Sequence, residues 1–271
     1  MQRKRPERCQ RCGKRLHQEH VCAAKVCSWI RCFSATKFLL MCLLLLLFVL
    51  PVHAKRTKAE TTTPAFEPGF EYITYASVVK LEHPLTGLRL HSQEVAYGTG
   101  SKQQTVTAVE RHLDDDRALW LIKAPQQSGG RFFAESKGMR RVRCGDLIRL
   151  EHVVTRTHLH SHRLASPLTG SQEVSAFALS AEGSGDSGDH WQVECISKGA
   201  VFWARNETVY LRHVDTETMY LSVLGEQRYH DPLENHAEVV CLERKSIRQP
   251  ELRAQWVASE GFFHASAAVE S

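Results

Sequence analysis

The sequence predicts an all-β chain: a β-trefoil of three repeats that close on one another, preceded by a basic leader and a signal peptide or signal anchor. The repeat itself is the first reason. Leu81-x-His83, Leu150-x-His152 and Leu211-x-His213 are each followed, after six residues, by Leu90-His91-Ser92, Leu159-His160-Ser161 and Tyr220-Leu221-Ser222. A Trp closes each unit (Trp120, Trp191, Trp256), and a Val-x-small step precedes it: Val106 to Ala108, Val174 to Ala176, Val239 to Cys241. A unit of this size cannot bury its apolar face alone, and three copies point to closed threefold packing. Short alternating, β-branched runs supply the second reason: Ser77–Leu81, Leu147–Leu150 and Thr208–Leu211 each run into a turn, at 84–87, 153–156 and 215–217, and a second strand such as Leu88–His91 follows. Finally, no window between 70 and 260 carries a 3.6-residue period.

Residues 1–37 form a basic leader, with ten Lys or Arg against Glu7 and Glu19. The whole chain carries only +5, so everything after the leader is mildly acidic, which excludes a nucleic-acid reading based on global charge. In the leader, Cys9-x-x-Cys12 has zinc-ligand spacing but no matching second pair, and Cys22, Cys27 and Cys32 follow. An unstructured tail, or palmitoylated cysteines if the leader is cytosolic, accounts for it better. Phe38 to Val52 is uniformly apolar, shorter than the roughly 20 residues of a bilayer span and suited to a signal-peptide h-region. Val52-His53-Ala54 then offers a cleavage site. An uncleaved signal anchor is the rival, because a long basic leader favours a cytosolic N-terminus, and translation from Met41 is a third reading. All three send the repeats into the secretory pathway. Residues 55–69 read as a linker, 70–260 as the trefoil with repeats at about 70–124, 139–195 and 202–258, and 261–271 as a tail.

Inside the trefoil, Leu81, Leu150 and Leu211 are expected to face the core, with Leu90, Leu159 and Tyr220 doing so one strand later and the three Trp forming a bottom layer. Cys144 and Cys195 mark the start and end of the second unit, close together in a closed barrel, and are expected to form a disulfide in an oxidising compartment. Cys241 takes the small inward position of Ala108 and Ala176 and is expected to be a buried free thiol. Asn206-Glu207-Thr208 is a glycosylation sequon.

The segment Leu159 to Phe177, with the acidic Gly-rich stretch and Asp189-His190-Trp191 after it, closely resembles the central signature of the stromal cell-derived factor two family. Val78–Leu81, Arg89–Ser92, Tyr97–Gln104 and Val106-Thr107 resemble that family's first unit, and Leu221–Gln227 its third. The resemblance spans 75 to about 264 and implies three MIR repeats in a β-trefoil. It also implies an endoplasmic-reticulum protein that works with a J-domain co-chaperone and the lumenal Hsp70 on unfolded secretory polypeptides. This chain ends in Ala-Ala-Val-Glu-Ser271 rather than a retrieval signal of the His-Asp-Glu-Leu type, so retention would need a partner or an anchor.

Chemistry is weighed next. His158-x-His160-x-His162 puts three imidazoles on one face of an extended segment and could bind zinc, but a hydrogen-bonded turn histidine is the default reading, and no metal or cofactor is assigned. His83, His152 and His213 recur threefold and are read as structural, capping a strand end. Asp114–Asp116 and Glu182–Asp189 read as solvated loops without EF-hand spacing, and Arg140-Arg141-x-Arg143 as a solvated run and the only basic cluster for an inositol-phosphate site. No Gly-x-Ser-x-Gly, phosphate loop or carboxylate pair placed for acid–base work occurs, so a non-catalytic protein is expected. The loops Tyr97–Gln104, His162–Glu173 and Gly225–His236 hold equivalent positions and should cluster at one end as the partner site. The candidate binding residues there are Tyr97, Gln104, His160, His162, Gln172, Glu173, Glu226 and Gln227. The alternative function is a mannose-type glycan-binding MIR module linked to protein O-mannosylation.

Overall fold

A computed structural model describes residues 66–125, 134–135, 138–179, 185–233, 235–244 and 251–266. The basic leader, the apolar segment 38–54 and most of the linker therefore lie outside the described residues. Among those described, no helix is long and apolar enough to cross a membrane.

The first unit is β1 (Val78–His83), β2 (Leu88–Ala96), β3 (Gln104–Val109) and β4 (Trp120–Lys123). A small hairpin, β5 (Ala134–Glu135) and β6 (Gly138–Met139), leads to the second: β7 (Leu147–His152), β8 (His158–Ala165), β9 (Gln172–Phe177) and β10 (Trp191–Cys195). The third is β11 (Thr208–His213), β12 (Met219–Arg228), β13 (Ala237–Glu243) and β14 (Gln255–Phe262). The described chain is all-β: a single antiparallel 12-stranded sheet joins the units, with β1 pairing both β14 and β4, and β11 pairing both β10 and β14. Each turn between the first two strands of a unit places one residue at positive φ, at Gly87, Arg156 and Glu217.

At one end the segment entering each unit is tied to the other two by a cyclic set of backbone bonds. The N–H of Ile73 donates to the carbonyl of Trp203 (2.8 Å), that of Trp203 to Val142 (2.9 Å), and that of Val142 back to Ile73 (2.9 Å). All three side chains are fully buried. Trp203 is thus a fourth core tryptophan beyond the three that close the units. Past this ring Ala76, Gly145 and Asn206 share a left-handed turn position, with φ of 68°, 94° and 61°.

The closing tryptophans occupy one environment three times over. The indole N–H of Trp120 donates to Leu90 O (3.1 Å), that of Trp191 to Leu159 O (2.9 Å) and that of Trp256 to Leu221 O (2.9 Å). Against each indole lies the histidine of a neighbouring strand: His152 on Trp120, His213 on Trp191 and His83 on Trp256, with ring centroids 5.0, 4.9 and 5.7 Å apart. The Nε2 of each histidine meets a backbone carbonyl (Arg117, Gly188 and Leu252) at 2.9–3.1 Å. A carbonyl can only accept, so Nε2 carries the proton and Nδ1 accepts from the hydroxyl of Thr155, Thr216 or Thr86, each at 2.8 Å. The structural reading of these histidines corresponds to a specific device, His-x-x-Thr. Burial lowers the pKa of all three and keeps the rings neutral.

Leu81, Leu150 and Leu211 are fully buried in the common core, as are Leu90 and Leu159. The expectation for Tyr220 needs correction. Arg212 pairs with Tyr220, whereas the equivalent Glu82 and Glu151 pair with Arg89 and His158. The β11–β12 turn is one residue longer, so Leu221 takes the inward position opposite Cys241, matching Leu90 opposite Ala108 and Leu159 opposite Ala176. Side chains alternate along a strand, so one extra turn residue moves Tyr220 off the core face. It joins a side cluster with Tyr210 and Ala254.

Cys144 and Cys195 form a disulfide with Cα atoms 5.4 Å apart, and Cys241 is a buried free thiol whose pKa burial pushes up to about 12. The ends of the described chain also pack. Ser266 N–H donates to Gly69 O (2.8 Å), and Ser266 bridges to Met139.

Leu150→Ala is expected to cost about 2–5 kcal/mol in urea unfolding, because the residue sits in a core shared by all three units and leaves a cavity. Replacing Cys144 and Cys195 together by Ser should cost about 2–4 kcal/mol, while native alkylation should leave Cys241 unmodified.

Candidate functional site

The third strands of the units meet at the barrel axis: β3 pairs with β9 and β13, and β13 pairs with β9. Each carries polar residues that grip the loop of a neighbouring unit. Glu173 on β9 accepts from the backbone N–H of Ser101 in the β2–β3 loop, at 3.3 and 3.4 Å. A Cβ on Gly100, which has φ +65°, would lie 2.0 Å from a Glu173 oxygen, so only glycine fits. Glu238 on β13 accepts from the N–H of Leu168 (2.9 Å) and the hydroxyl of Thr169 (2.8 Å) in the β8–β9 loop. His236 in the β12–β13 loop meets Thr107 Oγ1 on β3 at 3.0 Å. Contacts therefore run round the axis and hold three loops in one rim.

Among the predicted binding residues, Tyr97 is buried and its hydroxyl reaches the carbonyls of Val106 (3.0 Å) and Val174 (2.9 Å). It packs with Tyr229 and Leu233 beneath the rim. Gln104 donates to Ser92 Oγ (2.7 Å) and Thr155 Oγ1 (2.9 Å), and Gln172 donates to Ser161 Oγ (2.8 Å) and Thr216 Oγ1 (3.0 Å). These amides, like Glu173, are ties between units. Glu226 and Gln227 are exposed. Leu164 and Leu168, each 40% exposed, put apolar surface on the same loops. Asn206 of the sequon is exposed.

The histidine row lies on β8. His158 and His160 are fully buried and His162 is half-buried, so His160 is a strand residue of the interior rather than a turn residue. The Nδ1 of His160 lies 2.8 Å from Asp189 Oδ1 and its Nε2 lies 2.6 Å from His162 Nε2. Asp186 Oδ1 is 3.6 Å from His160 Nδ1 and accepts the Gly188 N–H at 2.8 Å. His158 lies 3.7 Å from both Glu151 and Asp189, and burial, then Arg149, press its pKa down to about 3. His160, His162 and Asp186 present ligand atoms within 4.8 Å of one another.

Two loop readings change. Asp114 pairs with Lys80 Nζ (2.8 Å) and with the guanidinium of buried Arg89, which also binds Glu260, and Asp189 is fully buried. Buried cations and buried histidines drew those carboxylates inward. Arg140 and Arg141, half-buried, stack on the rings of Tyr75 and Tyr72 at 4.4 and 4.9 Å and leave the solvated run, while Arg143 lies 5.6 Å over Phe202 and stays exposed. Sequence reasoning missed Asp186, Asp189 and Glu238. The signal for the first was present: an acid stands five residues before each closing Trp, at Asp115, Asp186 and Glu251.

Repeated four-stranded units, a shared Trp–His core and a rim of interlocked loops define a MIR-domain protein, and the MIR domain family matches residues 89–249. The chain belongs to the stromal cell-derived factor 2 family. It is 41% identical to stromal cell-derived factor 2 of Homo sapiens over 191 residues, covering 70% of this chain and 82% of that protein. It is 39% identical to the human stromal cell-derived factor 2-like protein 1 over 199 residues, 73% of this chain and 81% of that protein. The crystal structure of the SDF2-like protein from Arabidopsis thaliana superposes with a TM-score of 0.60 at 33% identity, covering 74% of this chain and 99% of that one. The S. cerevisiae protein O-mannosyltransferase Pmt1–Pmt2 complex shares the fold, with a TM-score of 0.60 at 22% identity over 78% of this chain and 28% of that chain.

His91, the first-unit counterpart of His160, has its pKa lowered to about 4 by burial, reinforced by His236. Its folded pKa lies below the ordinary 6.5, so the unfolded chain takes up the proton first. Stability from this group is present above about 6.5 and is lost as pH falls toward about 4. In urea melts across that window His91→Gln should show a shallower pH slope than the wild type.

Proposed function

We propose that this protein is a non-catalytic component of a chaperone complex in the endoplasmic-reticulum lumen. It partners a J-domain co-chaperone and Hsp70 and helps to hold unfolded secretory polypeptides. The observation that carries the reading is membership of the stromal cell-derived factor 2 family over most of the chain. The Cys144–Cys195 disulfide supports a secretory location, because such bonds persist in oxidising compartments. The apolar segment 38–54 supports entry by a signal peptide or a type II signal anchor, and Asn206, exposed in a turn, suits glycosylation there. Within this reading the three four-stranded units constitute a β-trefoil of MIR repeats.

The rim is the proposed contact surface. Its loops are fixed by carboxylates of neighbouring strands, and rigid scaffolds commonly present function on loops. Tyr97, Gln104, Gln172 and Glu173 shape the rim from beneath, while Glu226, Gln227, Leu164 and Leu168 face outward. Exposed leucines beside polar groups suit an extended polypeptide better than a sugar. A pull-down from the secretory fraction tests this: the wild type should retain a J-domain protein and Hsp70, and the double variant Leu164→Asp, Leu168→Asp should lose most of both at an unchanged melting temperature. Absence of both from the wild-type pull-down, with mannose-type glycans binding at micromolar strength, would replace this reading with the glycan-binding module.

A further inference from the structure

The three units can be compared at the short turn that precedes each closing tryptophan. In the first, Asp115 caps the turn and Arg117 fills the space beside it. The Arg117 guanidinium binds Asp115 Oδ2 (2.8 Å from Nε) and Gln93 Oε1 (3.1 Å), and His91 Nε2 lies 3.6 Å from Asp115 Oδ1. In the third, Arg253 binds Glu251 in the same way at 3.1 Å. Both turns therefore hold an acid with its own cation, two residues further on.

The second unit keeps the acid and lacks that cation. Asp186 caps the turn, and the residue in the arginine's place is Gly188. A Cβ there would lie 2.5 Å from His160 Cε1 and 2.9 Å from Ser161 O, so no side chain can enter without displacing the imidazole. The Gln93 position is occupied by His162. Where the first unit sets one imidazole, a glutamine and a guanidinium about its acid, the second sets two imidazoles and no guanidinium.

The imidazoles are arranged for a metal. Alternation along β8 puts His160 and His162 on one face, with their Nε2 atoms directed at each other. Asp189, fully buried, binds Nδ1 of His160 through Oδ1. That contact places the His160 proton on Nδ1 and leaves the Nε2 lone pair facing His162, the carboxylate–histidine pattern that orients metal-bound imidazoles. Asp186 approaches from the Nδ1 side, with Oδ1 3.6 Å from His160 Nδ1 and a ligand atom within 4.8 Å of one on each imidazole, and Gly188 stands where its counterparts have an arginine. Asp215 and Asp189 add negative charge around His162.

We propose that His160, His162 and Asp186 form a divalent transition-metal site, suited to zinc by its two imidazoles and one carboxylate, with a fourth position open to water or a partner's ligand atom. Tetrahedral ligands about 2.0–2.1 Å from zinc stand about 3.3 Å apart, so the ring nitrogens must separate slightly from their 2.6 Å contact. His162, half-buried, is the ring with room to move.

The test uses the full chain, with exposed thiols alkylated under native conditions so that the leader cysteines cannot compete. Calorimetric titration with Zn2+ alone should show about one equivalent bound. His162→Gln, which installs the residue of the first unit, and Asp186→Asn should each weaken binding by at least about tenfold, since even outer-shell partners carry that much. In chelator both variants should melt as the wild type does, and added Zn2+ should raise the melting temperature of the wild type alone. Co2+ should give visible d–d bands without a thiolate charge-transfer band. No Zn2+ binding by the wild type, equal binding by the variants, or a thiolate band would each overturn the site.

Discussion

The fold rests on three indole N–H groups that have nowhere to go but a leucine carbonyl. A buried indole donor left unpaired is costly, and each Trp at the end of a unit is placed where Leu90, Leu159 or Leu221 presents its backbone oxygen. That bond fixes the last strand of a unit against its second. The histidine lying on the same indole then locks the neighbouring strand, because its ring is committed at both nitrogens, to a threonine hydroxyl and a backbone carbonyl. Gln104 and Gln172 extend two of these clamps by donating to Thr155 and Thr216 of the following unit. Ala237 takes that position in the third unit, opposite Arg228, and has no amide to offer. These clamps are short hydrogen-bonded circuits, each specifying a register that apolar packing alone would leave loose.

Equivalent positions that differ between units are informative because the scaffold around them is constant. Arg89, His158 and Tyr220 stand at one such position. The first binds Asp114 and Glu260, the second lies 3.7 Å from Glu151 and Asp189, and the third bonds Glu194 at 3.2 Å. Three different side chains occupy one site beside the core, each with carboxylates supplied from nearby segments. The turn before the tryptophan shows the same freedom, with Arg117, Gly188 and Arg253 in one place. Variation there leaves the Trp–Leu bond untouched, so a unit can acquire its own chemistry without loss of the common core.

Along the rim the constraint is electrostatic. Glu173 and Glu238 are buried, and each takes N–H donors from a loop of the preceding unit. Hydrogen bonds to an ionised carboxylate are stronger than neutral ones, and a buried carboxylate left without them is costly. These contacts make the rim a preorganised surface. A partner that lays a chain across it meets loops already ordered, and less entropy is lost on binding.

Much of this was legible in the residues. Self-similarity with β-branched alternation indicated three strand-built units, and the inward leucines, the tryptophans, Cys241 and the three histidines could be placed because identical residues recurring at one spacing must share one environment. The sequence by itself determined which side chains form the core, since burial follows from periodicity, and the family, since the second-unit signature is specific. Tertiary structure decided what spacing cannot express. Tyr220 left the core face because a single extra turn residue changes strand parity, and nothing local distinguishes that from the pattern Leu-His-Ser. Asp114 and Asp189 lie in acidic stretches that look solvated. They are drawn inward only because Arg89, His158 and His160 arrive from other strands, and the free energy of a buried charge depends on partners distant in sequence. For the same reason His160 is a different residue from His91: the chain supplies two similar strands, and the neighbours that close over them, Arg117 in one unit and Gly188 in the other, set what each imidazole faces.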